Sequence, residues 1–265
     1  MNDLDNNNLF DYKNNPIAYE IEEKARPDEM KMIDGVTRVA NMYLNGFINA
    51  RILDLCCGTG LPLIGLVNHK NIKDIIGVDI SNEYLDFARD RFKDNYNIKF
   101  IDGDALDTEL PLNSWDIIIL SSAYHHIENT RKRQFFTKVS SLLSKRGVAI
   151  IGENILPPYK INDIESYKDS VRLFYNEVIF TAEKDGKKLP NDVRALIERV
   201  AKYGFDGEYE YKVSLDIMLN DIKSVGLHII QQEKIWPYQG SLCLTTGGNY
   251  VITVSNNMET ENEKL

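Results

Sequence analysis

Thiols are scarce in this chain: three cysteines in 265 residues, two of them neighbours at Cys56 and Cys57. Adjacent Cα atoms stand about 3.8 Å apart, inside the lower limit of roughly 4.4 Å for a disulfide. A disulfide-stapled scaffold is therefore excluded, and a reducing, cytoplasmic setting is expected. With Cys243 as the one other thiol, the pair is read as small buried packing residues, and no metal site is expected. Long apolar runs are missing too, since none approaches the roughly 18 residues that span a bilayer. The opening residues MNDLDNNNLFDYKNN lack both the basic start and the apolar stretch of a secretory signal. Basic charge is in deficit, with 31 Lys and Arg against 40 Asp and Glu for a net charge of −9. Such a surface matches bare nucleic acid and anionic membranes poorly, so neither is expected as a partner.

What is present is an ordinary globular composition, 43% apolar and 27% charged, enough for one large domain or two small ones. From Pro27 to about Phe47 apolar residues fall at helical spacing: Met30, Ile33, Val36, Val39, Ala40 and Tyr43. Short β-branched runs follow at 52–56, 75–79, 98–101, 116–120 and 147–152. Such unalternating runs suit strands covered on both faces of a parallel sheet. Between them, Ser81 is a candidate N-cap for a helix carrying Leu85, Ala88 and Phe92. A second helix from Arg131 carries Phe135, Val139 and Leu142, with Lys145-Arg146-Gly147 read as its end. Alternation of this kind reads as a doubly wound α/β fold.

The rhythm breaks over 157–212, a charged, aromatic and mainly helical stretch. It resumes at Ser214, a candidate N-cap, and ends in the runs 227–230 and 250–254, which suit an antiparallel hairpin at the sheet edge. The expected organisation is N-terminal helices and an α/β core over 1–156, a helical lid over 157–212, completion of the core over 213–255, and a tail over 256–265. Both termini are expected to fray.

Chemistry is written at the strand ends. Asp54-Leu55-Cys56-Cys57-Gly58-Thr59-Gly60 closes the first strand with a strand-to-helix turn whose glycines allow positive φ and close ligand approach. A dinucleotide fingerprint would place glycine at 56, 58 and 61, where this chain has Cys56, Gly58 and Leu61, so a dehydrogenase is disfavoured. Asp79, at the end of the second strand, is placed to accept hydrogen bonds from two ribose hydroxyls and is expected to support little else. After the third strand, Asp102-Gly103-Asp104-Ala105 offers a carboxylate for an exocyclic amine. Ser114-Trp115-Asp116 then leads into the fourth strand.

Together, in this order, these stretches resemble the class I S-adenosylmethionine-dependent methyltransferases. The match runs from about Arg51 to Asn154, with compatible elements at 214–255. It implies a mostly parallel seven-stranded sheet with an antiparallel last strand. By the resemblance, Asp54, Cys56, Gly58 and Gly60 hold the methionine end of S-adenosyl-L-methionine, and Asp79 holds the ribose. Asp104 and Ala105 hold the adenine, and Ile80 and Ser121 complete the cofactor set. The family usually has glycine where Cys56 stands, so that side chain should point away from the ligand. Asn154-Ile155-Leu156-Pro157-Pro158-Tyr159 resembles the box of adenine and glutamine N-methyltransferases. It follows the fifth strand rather than the fourth, and is read as a rigid exit into the lid.

The fourth strand ends in Tyr124-His125-His126, where the resemblance brings acceptor and sulfonium together. His126 is the first candidate for a base, then His125, then Glu153 at the end of the fifth strand. Tyr124, Phe174, Tyr175, Trp236 and Tyr238 are the candidates for enclosing the acceptor. The expected activity is methyl transfer to an oxygen or nitrogen of a small molecule, releasing S-adenosyl-L-homocysteine. The alternatives are a methyltransferase of tRNA or another macromolecule, and a fold member that binds the sulfonium but catalyses another reaction.

Overall fold

The structure, a computed structural model, describes residues 14–257. The expected fraying of residues 1–13 and 258–265 therefore lies outside the described residues, whereas Asn256, the first residue of the expected tail, is hydrogen-bonded to Ser140.

Seven strands form one sheet: β1 (Ala50–Leu55), β2 (Ile72–Asp79), β3 (Ile98–Asp102), β4 (Trp115–Ser121), β5 (Leu143–Ile155), β6 (His228–Trp236) and β7 (Gly248–Ser255). Their order is β3-β2-β1-β4-β5-β7-β6, with β7 antiparallel to both neighbours and the other adjacent pairs parallel. The late hairpin forms as read, with β7 inserted beside β5 and β6 left as the edge. Strand order reverses between β1 and β4, and a crevice opens at such a switch point beyond the carboxyl ends of the strands.

Successive residues of the central strands feed two separate cores, as the pleat requires. Leu53, Leu55, Ile118 and Leu120 pack with Phe135 and Val139 of α4 (Lys132–Leu142) and Met218 and Ile222 of α7 (Leu215–Ser224). Ile52, Ile117 and Ile119 pack on the other face with Val36, Val39 and Ala40 of α2 (Glu29–Leu44). Gly152 of β5 admits α2 closely, since a Cβ there would lie 2.7 Å from Val36 Cγ2.

Two expectations are corrected. The turn after β1 leads not into a regular helix but into a single 3₁₀ turn over Leu61–Gly65, with Pro62 in its first turn. The helix from Arg131 stops at Leu142, and Lys145-Arg146-Gly147 belong to an irregular start of β5. There Ser144 Oγ donates to Asp116 Oδ1 at 2.8 Å and fixes the chain extended.

The segment after β5 forms α5 (Ile164–Ala182) and α6 (Asn191–Asp206), which pack with Ala18 of α1 (Pro16–Ala25) and with Trp236 in a third core. α1 also turns carboxylates inward. Arg26 Nε lies 3.1 Å from Glu22 Oε1, Arg26 is bonded to Glu23, and its Nη1 donates to Asn154 Oδ1 at 2.6 Å. Burial pushes the Glu22 carboxyl up from 4.5 to about 7, partly offset by Arg26. A carboxyl raised in the folded state contributes stability that is complete below its unfolded value and lost as pH rises through the folded one. Glu22→Gln should therefore gain stability relative to the native chain between pH 4.5 and about 7. Denaturant unfolding across that range checks the sign.

Candidate active site

The crevice at the switch point is a cavity of about 690 Å³ whose wall joins the ends of β1, β2 and β4 to the loop after β3. At β1, Asp54 is 1% exposed, and its Oδ2 has no hydrogen-bond partner among the described residues. Burial, reinforced by the charge of Asp79, holds this carboxyl well above the usual range. The loop beyond it reverses sharply through Cys56 (φ 56°), Gly58 (φ 51°) and Gly60 (φ 73°). Cys56 thus holds a left-handed conformation that glycine adopts freely, the local reason a glycine suits that position. A Cβ at Gly60 would also meet Phe92 Cε2 at 2.7 Å.

Asp79 lines the cavity but has structural duties the sequence did not reveal. Its Oδ2 accepts from the Gly58 N–H at 2.8 Å, and its Oδ1 accepts from the Ser81 N–H at 2.9 Å. Burial raises its carboxyl, and those two hydrogen bonds oppose the rise. The carboxylate therefore clips the glycine loop to β2, which corrects the expectation that it supports little else.

Ile80, 73% exposed, lies on the wall beside it. Asp104 lines the far end. Its Oδ1 accepts from the Leu106 N–H at 2.6 Å, and its Oδ2 lies 3.6 Å from Arg131 Nη1. Ala105 turns into the core, and Leu106 stands on the wall in its place.

At β4, Ser121 and Ser122 reach the cavity, and Ser122 Oγ donates to Glu29 Oε1 at 3.4 Å. Tyr124 does not reach it. Its ring is buried under the Lys132 ammonium, 3.9 Å from the centroid, and its hydroxyl donates to Asp221 Oδ2 at 2.6 Å. The two histidines diverge. His125 is buried, with Nδ1 2.5 Å from Glu153 Oε1 and its main-chain N–H on Glu153 Oε2 at 3.2 Å. Burial lowers the imidazole and raises the carboxyl, and the hydrogen-bonded pair lies behind the wall instead of facing the cavity. His126 lines the cavity, and its side chain is 39% exposed.

The aromatics assigned to the acceptor are mostly elsewhere. Phe174, Tyr175 and Trp236 fill the third core, where Phe174 meets Trp236 edge-on at 6.1 Å, and Tyr238 is 68% exposed outside it. The inward face of α5 is spent on α6 and Trp236. Phe174→Ala should accordingly cost about 3–5 kcal/mol of stability, as Phe→Ala changes in cores do, and leave ligand affinity of the folded fraction near native. Chemical denaturation and calorimetry on the same sample check both halves. Tyr19 of α1 and Tyr209 and Tyr211 stand on the wall instead. The alternation Tyr209-Glu210-Tyr211-Lys212 was the readable signal, because it sends two rings to one side and an ion pair to the other. Glu210 and Lys212 are buried and bonded to each other. His125, His126 and Glu210 bring one donor atom each within 4.8 Å of one another, but the Lys212 ammonium already supplies positive charge to that carboxylate.

Residues 52–147 match the family profile described as a methyltransferase domain, the same span that carries these strand-end acids. This chain therefore carries a methyltransferase domain, in line with the class I resemblance of its strand-end motifs. It is 31% identical over 121 residues to a ubiquinone/menaquinone biosynthesis C-methyltransferase, UbiE, of Campylobacter jejuni, covering 44% of this chain and 48% of that protein. It thus spans about half the length of that relative. Demethylmenaquinone methyltransferase of Staphylococcus saprophyticus is 24% identical over 185 residues, 66% of this chain and 71% of that one. Among solved structures, a putative sarcosine dimethylglycine methyltransferase from Galdieria sulphuraria superposes with a TM-score of 0.59 at 14% identity, covering 86% of each chain. That likeness is one of fold. Among the described residues no helix is long and apolar enough to cross a membrane.

Proposed function

We propose that this chain transfers a methyl group from S-adenosyl-L-methionine to an oxygen or nitrogen of a small acceptor in the cytoplasm. The observation that carries the reading is Asp54, a buried carboxylate on the cavity wall with an unpartnered oxygen. An orphaned buried acceptor costs free energy unless a ligand donor meets it, and an ammonium group is such a donor. The residues therefore fit the group: Asp54 and the turn of Cys56, Gly58 and Gly60 for the amino-acid end, Asp79 and Ile80 for the ribose, Asp104 with Leu106 for the adenine. Ser121 stands at the junction. Arg131, 3.6 Å from Asp104, flanks the adenine end.

When bound, the cofactor supplies an electrophilic methyl on a sulfonium. The protein's share is to align the acceptor and to take its proton where one must leave. His126 is placed for the second task. The insertion 157–212 acts as a lid through its return segment, with Tyr209 and Tyr211 on the acceptor wall, and not through α5. The names of the Campylobacter and Staphylococcus relatives favour a second reading, in which the acceptor atom is carbon. Incubation with a labelled methyl donor and separate panels of hydroxyl, amine and activated-carbon acceptors tests both. Label that never leaves the donor would overturn the transfer reading.

A further inference from the structure

Tyr209 has φ 60° at the centre of a three-residue turn that the Glu210 N–H closes on the Glu208 carbonyl at 2.7 Å. A side chain resists that left-handed region, and three-residue turns centred on positive φ are rare and strained. Such strain persists where surrounding contacts over-determine it, often at functional sites. Here the contacts are specific. His126 Nδ1 lies 3.0 Å from the Tyr209 carbonyl oxygen. Glu210 Oε1 lies 4.0 Å from the same nitrogen, and Glu210 Oε2 lies 3.7 Å from His125 Nε2. The Tyr211 N–H donates to the His125 carbonyl at 2.6 Å, and Lys212 holds Glu210 in place. Consecutive residues of one segment thus grip two consecutive histidines.

A carbonyl oxygen only accepts, so Nδ1 must carry the proton, which leaves the lone pair on Nε2. We propose that the strained turn at Tyr209 is a positioning element that locks His126 in its Nδ1–H tautomer and keeps Nε2 ready to accept a proton in the cavity. The proposal rests on the reading of that cavity as a methyl-acceptor site. Glu210 adds a carboxylate behind the ring, placed to stabilise the charge His126 gains on accepting a proton. Asp79, Glu153 and His125 also face this imidazole. The turn belongs to the segment that returns the inserted helices to the sheet, so docking of the insertion and readiness of the base are one event.

Long-range ¹H–¹⁵N correlation of the histidine rings in the ¹⁵N-labelled 265-residue chain at pH 8.5 tests this, with His126→Asn used to assign the signals. In the native chain Nδ1 should be the protonated nitrogen of His126. Tyr209→Gly, free to keep positive φ, should retain that tautomer. Tyr209→Pro, fixed near φ −65°, should shift the major form to Nε2–H. The double variant Glu210→Gln/Lys212→Met removes both charges together and should lower the Nδ1–H share, which keeps the test alive if the proline variant does not fold. A native Nε2–H ring, or an unchanged tautomer in a folded Tyr209→Pro, would overturn the proposal. Titrating S-adenosylhomocysteine into the same samples separates the two readings, since loss of binding by the native chain removes the methyl-transfer reading and leaves the tautomer result standing.

Discussion

Asp79→Ala is expected to weaken S-adenosylhomocysteine binding by at least about tenfold, because a charge-assisted hydrogen bond is worth about 1.5–3 kcal/mol and each 1.4 kcal/mol is tenfold in affinity. Two contributions add. The carboxylate would lose its own bonds to ribose, and the Gly58 N–H would lose the acceptor that holds the loop against β2. Asp79→Asn separates them, since its amide oxygen keeps one acceptor while the charge is gone. The alanine variant should therefore bind more weakly than the asparagine variant and should also melt lower. Equal native affinity in both, measured by calorimetry, would remove Asp79 from the cofactor site.

The second large effect is expected at His126. If its Nε2 takes the acceptor's proton, His126→Ala should lower kcat by about 10²–10⁴-fold, the range typical of general acid–base groups. The sign of the pH dependence follows directly. A protonated imidazole accepts no proton, so the native rate falls on the acid side, and the alanine variant should lose that limb. Affinity for S-adenosylhomocysteine should stay close to native, because Asp54, Asp79 and Asp104 are untouched. His125→Ala should behave differently: with its ring buried on Glu153, its removal should lower stability before it alters the pH profile. A His126 variant with native kcat and an unchanged profile would leave alignment as the protein's contribution.

Much of the fold was legible because both faces of the sheet are covered. Runs such as Ile117-Ile118-Ile119-Leu120 carry no polar alternation, and that pattern belongs to buried parallel strands. The strand-end acids were legible for a related reason. Asp54, Asp79 and Asp104 interrupt or end apolar runs at positions where a carboxylate has no packing value, and all three line one cavity. The helix after β1 was misread because the strand-turn-helix rhythm holds after β2 and β4, while Pro62 and Gly65 here permit a single 3₁₀ turn. The acceptor wall was the least legible. Phe174, Tyr175 and Trp236 read as pocket aromatics, yet large rings serve as well to build a small core, and the sequence does not say which way a helix faces. Tyr19 and Arg131 gave no separate signal, since each reaches the cavity from a helix or its cap whose other residues pack elsewhere.

The most direct measurement is calorimetric titration of S-adenosylhomocysteine into the native chain, repeated with a nicotinamide dinucleotide. One site per chain is expected, with heat for the sulfur ligand, little for the dinucleotide, and a loss of affinity in Asp54→Asn, where a neutral amide replaces the orphaned carboxylate. No heat with S-adenosylhomocysteine, or binding indifferent to both Asp54→Asn and Asp79→Ala, would contradict the assignment of this cavity.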